Sequence, residues 1–235
     1  LKFEILFLPL SRSQKIMARK LIDVSHEIES GMITYPGLPA PAVSDYLSRE
    51  ASRGKYAEGT TFQIGRIEMV ANTGTYIDAP FHRFAEGADL AGLALERIAH
   101  VEGLVIDATR SGREVDRDYF EGLELRDRAV LVHTGWDVHW LTAGYAKDAP
   151  FITGSAAELL VKASPALVGI DSVNIDDMQN GARPVHTLLL GAGIPVVEHL
   201  CHLGRLPVRG FKFHCVPVKF HGVGTFPVRA YAVIE

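Results

Sequence analysis

The segment Asn72-Thr73-Gly74-Thr75-Tyr76-Ile77-Asp78-Ala79-Pro80-Phe81-His82 concentrates side chains that can do chemistry. Asp78 can hold a metal ion or orient an imidazole, and His82 can carry a proton near neutral pH. The Tyr76 hydroxyl and the Asn72 amide can donate hydrogen bonds to an oxygen on which negative charge develops. Gly74 allows the backbone to come close to a ligand, and Pro80 stiffens the turn. Asp78 and His82 stand four apart across Pro80, which argues against a shared helical face; a loop can still aim both at one pocket. Taken alone, the same Asp-x-Pro-x-His string reads equally well as a turn-capping Asp78 and a core-filling His82.

Those residues need elements to position them. Short β-branched and aliphatic runs bounded by Gly, Pro or Asp predict strands at Leu21 to Val24, Phe62 to Val70, Gly103 to Ala108, Ala129 to Thr134, Ala166 to Asp171, Pro195 to Glu198 and Phe226 to Ile234. Phe62 to Val70 alternates, as a strand with one wet face does. Val130-Leu131-Val132 and Leu167 to Ile170 are uniformly apolar, as strands covered on both sides are. The 72–82 segment then falls at the end of the alternating strand and in the loop after it, where catalytic groups are commonly displayed. Helices are predicted at Gly154 to Ala163, capped by Thr153 or Ser155, and at His186 to Gly191, ended by glycine, with a third at Asp116 to Gly122. Strands and helices interleave without strict alternation. The expected class is α/β, a mixed sheet with flanking helices, in one domain spanning 19–235.

Other clusters carry less. His133, Trp136, His139 and Trp140 follow an apolar strand, where an aromatic pocket wall made by Trp136 and Trp140 competes with plain core packing. In Glu198-His199-Leu200-Cys201-His202 the spacing fits no zinc pattern that uses every member, and neighbours on a strand point oppositely, so only Glu198 is carried forward. Asp176 and Asp177 read as a solvated turn in preference to a second carboxylate site. His100, His214 and His221 read as structural, and Gly191-Ala192-Gly193 lacks the pattern of a nucleotide-binding loop.

Bulk properties exclude several classes. The chain has 235 residues, 24 Lys and Arg against 28 Asp and Glu, and a net charge of -4. With no clustered basic stripe, nucleic acid is not an expected partner. Leu1 to Leu10 is apolar but much shorter than a membrane span and has no small-residue cleavage site after it. Residues 1–18 read as an upstream extension or added residues with Met17 a natural start, or else as an arm packing on a neighbouring subunit. Cys201 and Cys215 read as buried thiols of a reducing compartment, hence a cytoplasmic protein with no membrane partner.

The string as a whole resembles the active-site signature of the cyclase family, the group of bacterial kynurenine formamidases and isatin hydrolases, whose pattern is H-x-G-T-H-x-D-x-P-x-H. Gly74, Thr75, Asp78, Pro80 and His82 match it. The likeness extends to Asp23-Val24-Ser25-His26, Tyr35-Pro36-Gly37, His133-Thr134-Gly135, Gly169-Ile170-Asp171, His186 and Glu198. It implies a swivelling β/β/α fold, a homodimer or homotetramer, and hydrolysis of a small amide, lactam, lactone or activated ester. Tyr35 and Phe81 would line the substrate pocket. In metal-dependent members the first two signature histidines and the Asp bind one divalent ion. The same Asp, a downstream His and a Glu twelve residues later hold a second, and the last signature histidine is the base. Here Asp78, His186 and Glu198 match the second set and His82 the base, whereas Asn72 and Tyr76 replace the two histidines. An amide and a neutral phenol are poor zinc ligands. The expectation is a pocket that works without metal on an activated substrate, Tyr76 and Asn72 serving as oxyanion donors. The alternative is zinc or manganese at Asp78, His186 and Glu198; further alternatives are a cyclase or dehydratase on a reactive intermediate and a non-catalytic small-molecule binder.

Overall fold

The uniformly apolar runs lie at the centre of a nine-stranded mixed sheet. The computed structural model describes residues 19–234, so the readings for residues 1–18 fall outside it. The strands are β1 (Lys20–Asp23), β2 (Ala42–Leu47), β3 (Ile64–Glu68), β4 (Tyr76–Asp78), β5 (Val101–Asp107), β6 (Glu114–Val115), β7 (Ala129–His133), β8 (Phe151–Ile152), β9 (Leu167–Ile170), β10 (Val196–Glu198), β11 (Phe211–His214), β12 (Thr225–Pro227) and β13 (Tyr231–Ile234). Their order in the large sheet is β1-β13-β11-β5-β7-β9-β10-β4-β12. The middle pairs β5–β7, β7–β9 and β9–β10 are parallel, and both flanks are antiparallel.

Alternation along the central strands divides the core. Val130, Val132, Val168 and Ile170 pack with α3 (Gly154–Ala163) and α4 (Pro184–Gly191), where Ala156, Ala157, Leu160, Val185 and Leu189 are buried. (Two short helices, Arg49–Ser52 and Leu95–Ile98, precede these as α1 and α2.) Ala129, Leu131 and Leu167 face the other way, with Ile77, Val197, Phe211 and Phe213. A strand buried on both faces gains from both, at roughly 1.5–3 kcal/mol per fully buried large aliphatic or aromatic side chain, so these runs have no wet face to alternate. Thr153 is the cap of α3, its hydroxyl accepting from the Ala156 amide at 3.2 Å.

Several expectations are corrected. The alternating Phe62 to Val70 run shortens to β3 and pairs only with β2, outside the large sheet, with every β3 residue exposed. The 72–82 segment is accordingly not the loop after a strand of the main sheet; it contains β4, an internal strand of that sheet next to the edge strand β12. The expected Phe226 to Ile234 strand is two, because Val228 to Ala230 leave the ladder between β12 and β13. Asp116 to Gly122 holds only a single 3₁₀ turn, Arg117–Tyr119. Helix α4 starts two residues before His186, with Pro184 in its first turn, where a missing N–H costs nothing. Cys201 and Cys215 are free and buried, as expected. Among the described residues no helix is long and apolar enough to cross a membrane.

Candidate active site

Sheet register performs the first assembly step. Side chains two apart on a strand share a face, and directly paired residues on neighbouring strands share it too. Tyr76 and Asp78 are two apart on β4; Glu198 pairs with Tyr76 and Thr225 pairs with Asp78. All four therefore stand on one face. Ile77 and Val197 occupy the opposite core, which places the four polar groups on the side covered by α4. Glu198 ends β10 at the carboxyl edge of the parallel strands, where open α/β sheets form their ligand crevices.

Helix α4 adds His186. Its Nε2 lies 3.5 Å from Asp78 Oδ2 and 3.5 Å from Glu198 Oε1. Its Nδ1 lies 2.7 Å from Asp176 Oδ2. The Asp176 carboxylate also accepts from the Val185 and His186 amides, at 2.7 and 3.0 Å, and so caps the start of the helix. One carboxylate thus orients both the helix and its imidazole. Asp176 is 1% exposed, which overturns the solvated-turn reading; Asp177 beside it does reach the surface region and pairs with Arg113 at 3.0 Å. Nothing local in the sequence signals this, since the cap comes from ten residues upstream.

Glu198 is held from both oxygens. The Tyr76 hydroxyl donates to Oε2 at 2.7 Å and the Ile175 amide to Oε1 at 2.6 Å. The phenol has one proton and it is committed to Glu198, so Tyr76 is a carboxylate anchor and not the oxyanion donor expected. Burial, then the charges of Glu198 and Asp78, push the Tyr76 phenol well above its ordinary value, which keeps that proton in place.

Asp78 and His82 communicate through Thr225, a residue with no sequence signal of its own. Burial alone would raise the Asp78 carboxyl; the His186 and His82 imidazoles and the Thr225 hydroxyl outweigh it, so Asp78 stays ionised below its usual range. An ionised carboxylate only accepts, so the short contact between Thr225 Oγ1 and Asp78 Oδ1 has the hydroxyl as donor. The 2.8 Å contact between Thr225 Oγ1 and His82 Nδ1 then runs from Nδ1–H to the oxygen. That network assigns the His82 tautomer and leaves Nε2 with a free lone pair. The side chain of His82 is 36% exposed, open to the cavity. Gly224 makes room for the chain here: a Cβ there would lie 2.4 Å from the backbone nitrogen of His82. Gly74, by contrast, adopts φ +66° against Ile28 and Met32 and does not line the cavity.

A cavity of about 340 Å³ opens over this floor, lined by Tyr35, Asn72, Tyr76, His82, His186 and Glu198 from the expected set. Arg83, Asn174 and Arg183 line it as well, and were not anticipated. Phe81, Trp136 and Trp140 do not line it. In a 3₁₀ turn successive side chains diverge by about 120°, so His82 and Phe81 cannot share a direction. Trp136 donates from Nε1 to the Tyr145 carbonyl at 2.7 Å, and Trp140 stacks on His26 at 4.0 Å. Both belong to an aromatic box behind β10 that also holds His199 and Tyr145. The resembling motifs His133-Thr134-Gly135 and Gly169-Ile170-Asp171 meet at neighbouring strand ends, where Asp171 accepts from Thr134 N at 2.7 Å and from Gly135 N at 2.9 Å.

The floor fits a single divalent cation. Donor atoms of Asp78, His186 and Glu198 all lie within 4.8 Å of one another and all three residues are buried. Asp78 Oδ2 is buried and accepts no hydrogen bond. The 3.5 Å spacings are too long for hydrogen bonds but match two tetrahedral ligands at about 2.1 Å from one ion, which stand about 3.4 Å apart. Without a cation, burial, opposed by the neighbouring imidazolium of His186, drives the Glu198 carboxyl up, and the carboxylates around His186 overcome its own burial and drive it up. A second cation at Asn72 and Tyr76 is not supported, because the phenol keeps its proton.

Comparison with known proteins agrees with this geometry. The family model Cyclase, described as "Putative cyclase", matches residues 22–177. Kynurenine formamidase of Geobacillus thermodenitrificans is 26% identical over 221 residues, covering 91% of this chain and 97% of that one. The kynurenine formamidase of Erythrobacter litoralis is 25% identical, covering 86% and 88%. The isatin hydrolase A structure from Labrenzia aggregata superposes with a TM-score of 0.77 at 22% identity, covering 92% and 94%, a likeness of fold. A matched family model across most of the chain, the shared fold and the convergence of Asp78, His82, His186 and Glu198 lead to one conclusion: this chain belongs to the cyclase family.

Proposed function

We propose that this chain is a cyclase-family hydrolase that cleaves a C–N amide bond with water, around one divalent ion held by Asp78, His186 and Glu198. The observation that carries the reading is the buried three-donor cluster with its unpartnered Asp78 Oδ2. Three carboxylates, Asp78, Asp176 and Glu198, surround one imidazole, which can supply at most a single positive charge, and a cation relieves the cost of burying the excess. One histidine and two carboxylates suit zinc or manganese. Bound there, the ion would supply a Lewis acid and an acidified water. This favours the metal-bound alternative over the metal-free expectation.

The chain's own groups supply the rest. His82 takes the proton of the attacking water at Nε2, held in that tautomer by Thr225, and returns it to the leaving amine. Asp176 fixes Nδ1–H of His186 so that Nε2 faces the cluster, the arrangement that raises ligand basicity. Tyr76 keeps Glu198 oriented, and Asn72, on the cavity wall, is a neutral donor for the carbonyl oxygen. The relatives named kynurenine formamidase point to a formamide, and the cavity volume suits a substrate of one aromatic ring.

Formanilide hydrolysis, followed with metal analysis before and after chelation, tests the reading. Stoichiometric zinc or manganese and activity lost on chelation and restored by the ion are expected. Full activity in metal-free protein would return the site to acid–base chemistry alone. No turnover of any amide or activated ester by metal-loaded protein would end the hydrolase reading.

A further inference from the structure

The cavity is charged in two layers. Its floor is formed by His186 and Glu198 with Asp78 buried against them, while Arg183 and Arg83 line the wall nearer solvent. Some arginines of the described residues are matched to carboxylates, among them Arg113 to Asp177, Arg117 to Glu121 and Arg229 to Asp23, and those without a partner, other than Arg183 and Arg83, lie away from the cavity. Neither Arg183 nor Arg83 has such a partner among the described residues. Arg83 rests at 5.4 Å on the Phe84 ring and reaches Thr187 only at 3.4 Å.

Arg183 is more firmly placed. Nη1 donates to Asn174 Oδ1 at 3.1 Å and to the Asp177 carbonyl at 3.3 Å, and Nη2 donates to the Tyr35 hydroxyl at 3.1 Å. All three acceptors are neutral. They orient the guanidinium without cancelling its charge. Of its five N–H groups, Nε–H and one on Nη2 remain without a protein acceptor among the described residues. The backbone at Arg183 is left-handed, φ 48° and ψ 59°, a conformation that costs a non-glycine residue about 1 kcal/mol or more and persists where surroundings impose it. The residue immediately precedes α4, whose first amides are already capped by Asp176, so the helix end is not itself the anion site.

We infer that Arg183, assisted by Arg83, reads a carboxylate on the substrate, so the substrate class is a small anionic amide whose scissile carbonyl faces the Asp78–His186–Glu198 floor while its carboxylate lies at the arginine wall. This rests on the hydrolase reading for its orientation, but the anion site itself does not. A guanidinium fork matches a planar carboxylate with two parallel, charge-assisted hydrogen bonds. Only the arginine wall offers that fork, so it fixes which end of the substrate stays at the mouth of the cavity.

The test uses benzoate and its neutral isostere benzamide, titrated by NMR against metal-loaded and chelator-treated protein. Wild type is expected to prefer benzoate by about tenfold or more, with the preference surviving chelation. Arg183→Met should bring the two within about twofold, and Arg183→Lys, which keeps the charge but not the fork, should lose about half of the logarithmic preference. With metal-loaded enzyme, Arg183→Met should raise KM for 2-formamidobenzoate by a clearly larger factor than it raises KM for formanilide. Equal binding of benzoate and benzamide, a preference abolished by chelation, or one unchanged in the lysine variant would overturn the assignment. Should Arg183→Met fail to fold, the lysine variant and the chelation arm still decide. A benzoate preference in a protein that hydrolyses no amide would leave the anion site standing and remove only the hydrolase.

Discussion

His186 and His199 are both buried imidazoles close to Glu198, and without a bound cation their surroundings push their pKa values in opposite directions. His186 stands among Asp78, Asp176 and Glu198, and these carboxylates, overcoming its burial, drive its pKa above the ordinary histidine value. His199 stands in the aromatic box of Tyr76, Trp140 and Tyr145, with only the Tyr145 hydroxyl at 2.8 Å on Nδ1, and burial pushes it down to about 3. Burial alone acts in the same direction on both. The charged neighbours decide the sign. Tyr76 divides the two regions: its hydroxyl serves Glu198 and its ring, 5.1 Å from that of His199, closes the neutral side. One buried polar region is thus built to hold positive charge, and the adjoining one is built to exclude it.

Four measurements would break or sharpen that contrast. The largest effect is expected on the charged side, where Asp78→Asn should lower kcat/KM by about 10³-fold, removing a ligand and the anchor of Thr225 together. A loss below tenfold would show that the charged cluster is not the reacting site. Asp176→Asn should weaken metal affinity by roughly 10–100-fold, measured by competition with a chelator, since His186 loses its carboxylate partner. Unchanged affinity would mean that Asp176 only caps α4.

Thr225→Val should lower kcat by about tenfold with little change in KM, while Thr225→Ser retains activity because the hydroxyl relay survives. Equal losses in both variants would reduce Thr225 to packing. The smallest effect belongs to the neutral side, where His26 stacks on Trp140 and burial pushes its pKa down to about 4. Its unfolded value, near 6.5, is higher, so the unfolded chain binds the proton first as pH falls. Stability is therefore full above pH 6.5 and lost as pH drops toward 4. His26→Phe should flatten that window by on the order of 1 kcal/mol in denaturant melts, and an unchanged slope would place the acid sensitivity elsewhere.

Much of the core was legible because burial on both faces leaves a pattern of its own. Val130-Leu131-Val132 and Leu167 to Ile170 are strands of the central sheet, and Thr153 before Ala156, Ala157 and Leu160 is a capped amphipathic helix. Tyr76–Asp78 was not legible as a strand, because two of its three residues are polar and all three are buried. Its polar side chains face the site floor, so the usual apolar signal of an internal strand is absent. Trp136 and Trp140 misled for a related reason: proximity to a strand end says which edge a residue occupies, not which side of β10 its ring enters.

The sequence by itself, through the resemblance of its motifs, singled out Asp78, His82, His186 and Glu198 as residues able to do proton and metal chemistry, and showed Asn72 and Tyr76 in place of two signature histidines. Only the tertiary structure decided that Asp176 orients His186, that Thr225 joins Asp78 to His82, and that Arg183 faces the cavity with two unmatched N–H groups. The physical reason is that chemistry belongs to a side chain wherever it stands. Protonation, tautomer and partner are properties of a site, and here Thr225 stands 143 residues from His82 and Asp176 ten from His186.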